Sequence, residues 1–269
     1  MNNSERNTRP KVSIIMGIYN CADTLAEAID SILEQTFLNW ELIMCDDGST
    51  DNTLWIANDY ARRFPEKIIV IRNDCNCGLN YTLNHCLEYV RGEYIARMDG
   101  DDISLPERLK KENDFLDSHP EYAIVSSSMI FFDSGGDWGE NQMIEIPQIR
   151  DFVFHAPFHC HAPCMIRKEA YMAVGGYTVD KRLLRFEDCN LWYKLYSKGY
   201  RGYNLQESLY KMRDDVSENL DSAIERADTI RENYLSIQYE EICKAIDSLC
   251  VYRNNHDCLL EGDPGYEQF

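Results

Sequence analysis

The feature that most constrains this chain is an alternation between short apolar runs and longer amphipathic segments, which extends through residues 11–98. In the segment 23–35, for example, Leu25, Ile29 and Ile32 recur at the spacing of one helical face. The pattern predicts strands at 12–16, 41–45, 68–71 and 93–98, with helices at 23–35, 54–64 and 79–90 between them. Strands that alternate with helices in this way predict an α/β fold, with a mostly parallel, Rossmann-like sheet flanked by helices.

After residue 106 the alternation becomes weaker. We expect a helix at 106–117, a strand at 123–132 and a loop rich in glycine and aspartate at 133–141. The segment 155–210 is predicted to hold short strands and two helices, which begin near Lys168 and Glu187. Apolar residues at helical spacing then predict a helix at 217–249, followed by a polar tail.

The charge balance argues against one broad class of partner. The 269 residues include 27 basic and 46 acidic side chains, which gives a formal net charge of -19. Such a surface repels nucleic acid backbones and anionic lipid headgroups, so we expect no nucleic acid partner. No apolar stretch approaches the about 20 residues that span a bilayer. Residues 1–11 also lack the apolar core of a signal peptide, and we therefore expect a cytoplasmic protein.

The chain has 11 cysteines, and without a secretory signal we expect them to be reduced thiols. Cys75 and Cys77 are too close for an ordinary zinc site and lack a matching second pair. The run His-Cys-His at 159–161, followed by Cys164, matches none of the usual spacings of zinc ligands. A loop with buried thiols is therefore favoured over zinc at 159–164.

Three polar clusters directly follow predicted strands. They are Ile18-Tyr19-Asn20, Asp46-Asp47-Gly48 and Asp99-Gly100-Asp101-Asp102. Because ligands of parallel sheets gather at the carboxyl ends of the strands, we expect all three clusters on one rim. Asp99 and Asp101 share a face of an extended chain, where magnesium or manganese would bind them together with a substrate diphosphate. The alternative is an acidic surface turn in which Asp102 caps the next helix.

Several motifs resemble those of family-two glycosyltransferases and occur in that family's order. The run at 12–20 resembles the family's first strand, and Asp-Asp-Gly-Ser-Thr-Asp at 46–51 and Asn-Cys-Gly-Leu at 76–79 resemble the motifs that follow. The run at 92–102, which ends in Met-Asp-Gly-Asp-Asp, resembles its metal-binding turn. Gly-Gly-Tyr at 175–177 and Phe-Glu-Asp-Cys-Asn-Leu-Trp at 186–192 resemble its acceptor-side elements. The resemblance covers residues 11–217.

The resemblance implies the GT-A fold and an inverting glycosyltransferase of the bacterial surface-polysaccharide type. Residues 1–10 would be a flexible N-terminus, 11–105 the nucleotide-sugar-binding half, 106–216 the acceptor-binding and catalytic half, and 217–269 a C-terminal helix and tail. The expected donor is a UDP sugar, the expected acceptor a saccharide or lipid-linked saccharide, and the expected cofactor Mn²⁺ or Mg²⁺. Contact with the inner face of the membrane, and oligomer formation through the C-terminal helix, are compatible with this assignment.

The resemblance also implies roles on the donor side. Asp47 would bond the uracil edge, and Tyr19 and the neighbouring Ile18 would lie against the base. Asp101 would ligate the metal, while Asp99 would contact the ribose or the metal. The residues alone leave other interpretations open, because Asp47 is also suited to cap a helix and Tyr19 to pack in the core.

Four further residues complete the expected site. An inverting displacement needs a general base, which the resemblance assigns to Asp188, while Glu187 would contact the acceptor or complement the helix N-terminus. Relatives often carry a histidine in a Tyr-Arg-x-His pattern, where this chain has Tyr-Lys-Met-Arg ending at Arg213. A guanidinium cannot ligate a cation but pairs with phosphate, so Arg213 would share the diphosphate charge. Arg72 would reach the nucleotide, with a solvated surface arginine as the alternative.

Two other functions stay open at this point. A nucleotidyltransferase that makes the sugar donor usually carries a basic, glycine-rich loop after its first strand, but residues 17–23 contain no lysine or arginine. A catalytically silent binding protein would keep the fold without the catalytic residues. The presence of Asp99, Asp101 and Asp188 argues against this alternative. The donor sugar, the acceptor and the linkage depend on loops such as 133–141 and 155–164, which follow no general code.

Overall fold

The structure is a computed structural model, and it describes residues 9–149, 151, 158–180, 183 and 187–214. Nearly all of them belong to one compact unit formed by residues 1–179 and 187–217. The predicted helix at 217–249 lies outside the described residues. No helix in the described ranges is both long and apolar enough to cross a membrane.

The first part of the unit alternates strands and helices as predicted. Its elements are β1 (Val12–Ile18), α1 (Leu25–Leu33), β2 (Trp40–Asp46), α2 (Thr53–Arg63), β3 (Ile68–Arg72), α3 (Leu79–Leu87) and β4 (Tyr94–Arg97). The second part contains β5 (Ile103–Ser104), α4 (Arg108–Ser118), β6 (Ile124–Asp133), β7 (Gly136–Glu140), β8 (Met165–Arg167), α5 (Lys168–Ala173), α6 (Glu187–Ser197) and β9 (Gly202–Arg213).

The described strands form one sheet in the order β3-β2-β1-β4-β8-β6-β9-β5, with β7 paired to β6. The pairs among β1, β2, β3 and β4 are parallel, as predicted. Beyond β4 the sheet is mixed, because β8 runs antiparallel to both β4 and β6, and β9 runs parallel to β6. The α/β prediction is therefore confirmed, with the parallel part confined mainly to the first half of the chain.

The apolar runs of β1 and β2 follow from burial on both faces of the sheet. Every residue of β2 is buried, and so is every residue of β1 except Gly17. Ile14 and Met16 pack into one core cluster together with α1, while Ile15 packs into a second cluster on the opposite face. Successive strand residues point to opposite faces, so two covered faces require a continuous apolar run.

The prediction of a loop at 133–141 is wrong, because this segment completes a β-hairpin. β7 pairs antiparallel with β6, and the Asp133 side chain accepts a 2.7 Å hydrogen bond from the Gly135 amide in the turn. β7 has no apolar alternation, which is why its sequence resembles a loop. Its one large apolar residue, Trp138, stacks on Phe131 across the hairpin with ring centroids 5.2 Å apart. A cross-strand aromatic pair of this kind stabilises a sheet edge without a periodic sequence signal.

Candidate functional site at the carboxyl rim of the sheet

The three polar clusters meet at the carboxyl ends of β1, β2 and β4. Ile18 and Asp46 are register partners at the ends of β1 and β2, and the next amide, that of Asp47, donates to the Ile18 carbonyl at 2.9 Å. The acidic turn after β4 joins the same rim, because the Thr24 hydroxyl donates to the Gly100 carbonyl at 3.0 Å. The order of the parallel strands therefore brings together residues that are far apart in the chain.

Two glycines permit this close approach. Gly48 has a φ of 76°, and a Cβ there would lie 2.9 Å from the backbone carbonyl carbon of Cys75. A Cβ at Gly100 would lie 2.9 Å from the Cys21 sulfur and 3.2 Å from a methyl group of Ile18. Since real Cβ atoms almost never come within 3.0 Å of such neighbours, larger residues would push the clusters apart.

A cavity of about 210 Å³ opens at this rim. It is lined by Gly17, Ile18, Tyr19, Asp47, Asn76, Gly78, Leu79 and Thr82. Tyr19 is 47% exposed, so the core-packing interpretation is wrong. Ile18 is buried and contributes an apolar wall. A flat apolar surface beside a polar group is the environment that holds a planar heterocycle.

The carboxylate of Asp47 is oriented by the loop between β3 and α3. Its Oδ1 atom accepts bonds of 2.8 Å from the Asn73 side-chain amide and from the Cys77 backbone amide. Its Oδ2 atom accepts a 2.9 Å bond from the Gly78 amide. The helix-cap interpretation of Asp47 is therefore wrong, and Asp51 instead bonds an amide at the start of α2. Asp47 is buried and lines the cavity.

The three carboxylates of the acidic turn have different surroundings. Asp102 is buried, and its Oδ1 atom accepts a 2.8 Å bond from the Arg213 amide, so it does not cap α4. Burial, with the charges of Asp99 and Asp101, raises the pKa of Asp102 to about 8. Asp101 is exposed to solvent, and partial desolvation and the Asp99 charge raise its pKa. Crowded carboxylates of this kind are stabilised by a cation.

A buried arginine that sequence reasoning missed lies behind the turn. Arg97, the last residue of β4, is only 5% exposed. Its two terminal nitrogens donate to the two carboxylate oxygens of Asp99 at 2.6 and 2.5 Å. The sequence signal was a charged residue at the end of an otherwise apolar strand, where arginine is rarely found without a partner. Asp99 is therefore already paired.

Arg213, the residue that replaces the expected histidine, lies against the same turn. Its Nε atom donates to the Asp101 carbonyl at 2.9 Å, and its guanidinium also pairs with Glu27. Its position at the end of β9 follows from the parallel pairing with β6, in which Phe132 is its register partner. The guanidinium of Arg213 therefore lies directly beside the acidic turn.

Glu187 and Asp188 form the first turn of α6, where acids complement the positive end of the helix dipole. The Asp188 carboxylate accepts a 2.7 Å bond from the Cys189 amide. Burial raises the pKa of Asp188, while this bond and the charge of Arg97 act in the opposite direction. Burial and the Asp188 charge likewise raise the pKa of Glu187. A raised pKa suits a carboxylate that must accept a proton.

Arg72 stands apart from the other expected donor-side residues. It ends β3, is exposed, and its Nε atom lies 3.4 Å from the Asp46 carboxylate. It does not line the cavity at the rim.

The residues at 158–164 bond to one another and to nearby side chains. A ring nitrogen of His159 lies 2.5 Å from Asn204 Oδ1, and a ring nitrogen of His161 lies 2.6 Å from the Tyr177 hydroxyl. Cys160 and Cys164 are buried, and burial raises the pKa of both thiols to about 12. These contacts match the favoured interpretation of a loop with buried thiols.

The acidic turn fits a divalent cation that a substrate helps to hold. Within the described ranges, no three or more His, Cys, Asp or Glu side chains gather as a complete metal site. Mg²⁺ and similar cations commonly bind one or two carboxylates and take their other ligands from substrate phosphates and water. The exposed carboxylate of Asp101 is suited to this arrangement.

Comparison with known proteins places the chain in a family. The family model described as Glycosyl transferase family 2 matches residues 13–175. The chain is 49% identical over 209 residues to EpsE of Bacillus subtilis (strain 168), a protein named as a glycosyltransferase, covering 78% of this chain and 75% of that protein. It is 28% identical over 248 residues to UDP-Glc:alpha-D-GlcNAc-diphosphoundecaprenol beta-1,3-glucosyltransferase WfaP of Escherichia coli, covering 86% of this chain and 90% of that protein.

The fold is also that of a solved glycosyltransferase. Mannosyltransferase PcManGT from Pyrobaculum calidifontis, in complex with GDP-Man and Mn²⁺, superposes with a TM-score of 0.66 at 20% identity. The match covers 87% of this chain and 65% of that one. At this identity the likeness shows the fold alone, and it agrees with the GT-A fold that the sequence motifs imply.

Proposed function

This chain belongs to glycosyl transferase family 2, and from this premise we propose that it transfers a sugar from a UDP donor to a saccharide or lipid-linked saccharide acceptor, with inversion at the anomeric carbon. The observation that carries the proposal is the junction, on one rim, of the cavity around Asp47 with the acidic turn at 99–102. The cavity would hold the base of a nucleoside diphosphate. The neighbouring carboxylates would hold the cation that accompanies its diphosphate.

The cavity is proposed to bind the base of the donor. A carboxylate can only accept hydrogen bonds, so Asp47 is suited to the N–H edge of uracil, and Tyr19 to the face of the ring. The name of WfaP contains UDP-Glc, which supports uridine, whereas PcManGT was solved with GDP-Man. The base is therefore the first property to measure.

The acidic turn is proposed to bind Mn²⁺ or Mg²⁺ through Asp101, with Asp99 near the ribose. The bound cation would neutralise the diphosphate and so make it a better leaving group. Arg213 is proposed to pair with the same diphosphate from the other side of the turn, because a guanidinium pairs well with phosphate oxygens. Both residues would thus stabilise charge that develops as the bond to the sugar breaks.

Asp188 is proposed as the general base. It would take the proton from the acceptor hydroxyl as that oxygen attacks the anomeric carbon from the face opposite the diphosphate. A single displacement of this kind inverts the configuration, so an α-linked donor gives a β-linked product. Its raised pKa brings proton affinity closer to the working pH, which favours proton transfer.

A cytoplasmic location, with contact at the inner membrane face, is proposed from the acceptor class. The name of WfaP contains a diphosphoundecaprenol, a lipid-linked acceptor, and that protein matches this chain over most of its length. The net charge of -19 disfavours general attraction to anionic lipids, so contact would depend on the acceptor itself.

The test uses the full chain with Mn²⁺ and a panel of UDP sugars and GDP-mannose, with lipid-linked saccharides as acceptors. Nucleotide release and product formation are measured together, and the anomeric configuration of the product is determined from proton couplings in NMR. A β-linked product from an α-linked UDP sugar supports the proposal. Retention contradicts the mechanism, and binding of UDP without any transfer or hydrolysis would identify a silent binding protein.

A further inference from the structure

A buried guanidinium lies directly behind the acidic turn. Arg97 is held by two bonds of 2.6 and 2.5 Å to the two oxygens of Asp99, a bidentate geometry that adds orientation as well as strength. Its Nε atom has no hydrogen-bond partner within the described residues. The position of the guanidinium therefore depends chiefly on Asp99, and that of the Asp99 carboxylate on Arg97.

This pairing makes the three acids of the turn inequivalent. Asp99 has both oxygens engaged by Arg97, and Asp102 is buried and bonded to the Arg213 amide. Asp101 is exposed, and among the described residues no other side chain is hydrogen-bonded or ion-paired with its carboxylate. Asp101 is thus the carboxylate most available to an incoming cation, because Asp99 is already paired with Arg97.

We propose that Arg97 is a positioning residue that clamps Asp99 and so reserves Asp101 as the ligand of the catalytic cation. This inference rests on the proposed function, since it concerns the cation that accompanies the donor diphosphate. Without the clamp, Asp99 and Asp101 would both be free to bind a divalent cation, which readily takes two carboxylates. The cation would then bind more tightly to the free protein, but displaced from the place where the diphosphate needs it.

Arg97 also connects the turn with the acceptor side. Its charge acts on the carboxyl groups of both Glu187 and Asp188, in addition to that of Asp99. The guanidinium of Arg97 therefore pairs with the donor-side turn and, against the effect of burial, also lowers the pKa of the proposed base through its charge. Its loss should disturb turnover even where the donor still binds.

The test compares full-length variants by Mn²⁺ binding, followed by electron paramagnetic resonance without nucleotide, and by turnover at saturating donor. Arg97→Gln should bind Mn²⁺ about tenfold more tightly, because one carboxylate is released beside the cation. The same variant should turn over about tenfold more slowly, because the cation is displaced from the diphosphate. The double variant Arg97→Gln/Asp99→Asn removes both charges and leaves two amides that can bond each other. It should return Mn²⁺ affinity to near the wild-type value.

Arg167→Gln is the matched control. Arg167 on β8 is a half-buried arginine that donates to the backbone carbonyls of Tyr122 and Leu116 rather than to the turn. This control should lower thermal stability without raising Mn²⁺ affinity. If Arg97→Gln behaves like the control, Arg97 has a structural role only and the inference is overturned.

The double variant tests independently whether Asp99 is a ligand of the cation. Loss of its Mn²⁺ binding would show that Asp99 is itself a ligand and would overturn the inference. It also remains informative if Arg97→Gln does not fold, because it leaves no unpaired charge behind the turn. A wild-type protein that binds neither Mn²⁺ nor UDP contradicts the proposed function. A wild-type protein that binds both, with unchanged Mn²⁺ affinity in Arg97→Gln, contradicts only the inference.

Discussion

The donor side and the acceptor side of the proposed site are built in different ways. On the donor side, Asp47 is held by the backbone amides of Cys77 and Gly78, and the clusters lie at the ends of neighbouring parallel strands. On the acceptor side, Asp188 lies in the first turn of α6, and its charge adds to burial in raising the pKa of the Cys160 and Cys164 thiols. The donor side therefore holds its carboxylate through backbone amides, whereas on the acceptor side partial burial raises the pKa of Asp188. Substitutions on the two sides should separate binding from turnover.

The largest effect is expected from Asp188→Asn, which keeps the shape of the side chain but removes its ability to accept a proton. Turnover should fall by about two to four orders of magnitude, the usual contribution of a general base. UDP affinity, measured by calorimetry with Mn²⁺, should not change, because Asp188 lies outside the donor cavity. Glu187→Gln is the matched control and should be much milder. A parallel loss of UDP affinity in Asp188→Asn would break the separation between the two sides.

Asp101→Asn should weaken donor binding rather than the chemical step. It removes the charge that holds the cation, so Mn²⁺-dependent UDP binding should weaken by about 100-fold. Mutation of a residue that merely supports a metal ligand typically lowers metal affinity by about 10–100-fold, and loss of a ligand itself should cost at least as much. The fold should survive, because Asp101 is exposed. Asp137→Asn, at an exposed acid on β7 that pairs with Lys211, provides the control. If UDP binding by Asp101→Asn equals that of the wild type both with and without Mn²⁺, Asp101 does not bind the cation that accompanies the donor.

The fold of the first half could be predicted because its signals are local. Continuous apolar runs predict strands covered on both faces, and the strands β1 to β4 lie within about two residues of their predicted bounds. The placement of three clusters on one rim followed from strand order alone. The pairing of Arg97 with Asp99 was missed because it depends on side-chain direction at the end of β4, which no periodicity encodes.

The second half was harder to predict because its strand pairings either lack a periodic sequence signal or connect distant segments. The β6–β7 hairpin depends on the stacking of Trp138 on Phe131 rather than on alternation. The proximity of Arg213 to the acidic turn depends on the pairing of β5 with β9, in which Ile103 and Lys211 are register partners. The sequence showed that Arg213 replaces the expected histidine, but it did not show that Arg213 contacts the Asp101 carbonyl.

Arg213→Ala should have an intermediate effect that sharpens the comparison, because Arg213 contacts the acidic turn but does not line the donor cavity. Turnover should fall by about tenfold as one charge near the leaving diphosphate is lost. The bond from its backbone amide to Asp102 is retained in the variant. Lys211→Ala, two residues earlier on β9, is the control and should leave turnover nearly unchanged. Arg213→His should raise Mn²⁺ affinity if the imidazole reaches the cation, and equal turnover in Arg213→Ala and wild type would exclude a role at the diphosphate.

The smallest effect is expected from Arg72→Ala, which tests how far the donor side extends beyond its cavity. Arg72 is exposed and paired with Asp46, so its charge reaches a bound nucleotide only through solvent. Exposed charges of this kind contribute little and are screened by salt, so UDP affinity should weaken by about two- to threefold at low ionic strength. The difference should vanish at high salt, as calorimetry at two salt concentrations would show. Arg62→Ala, at an exposed arginine on α2 that pairs with Asp59, controls for the loss of one surface charge. A salt-independent loss of tenfold or more in Arg72→Ala alone would mean that Arg72 contacts the nucleotide directly, and that the donor side includes the end of β3.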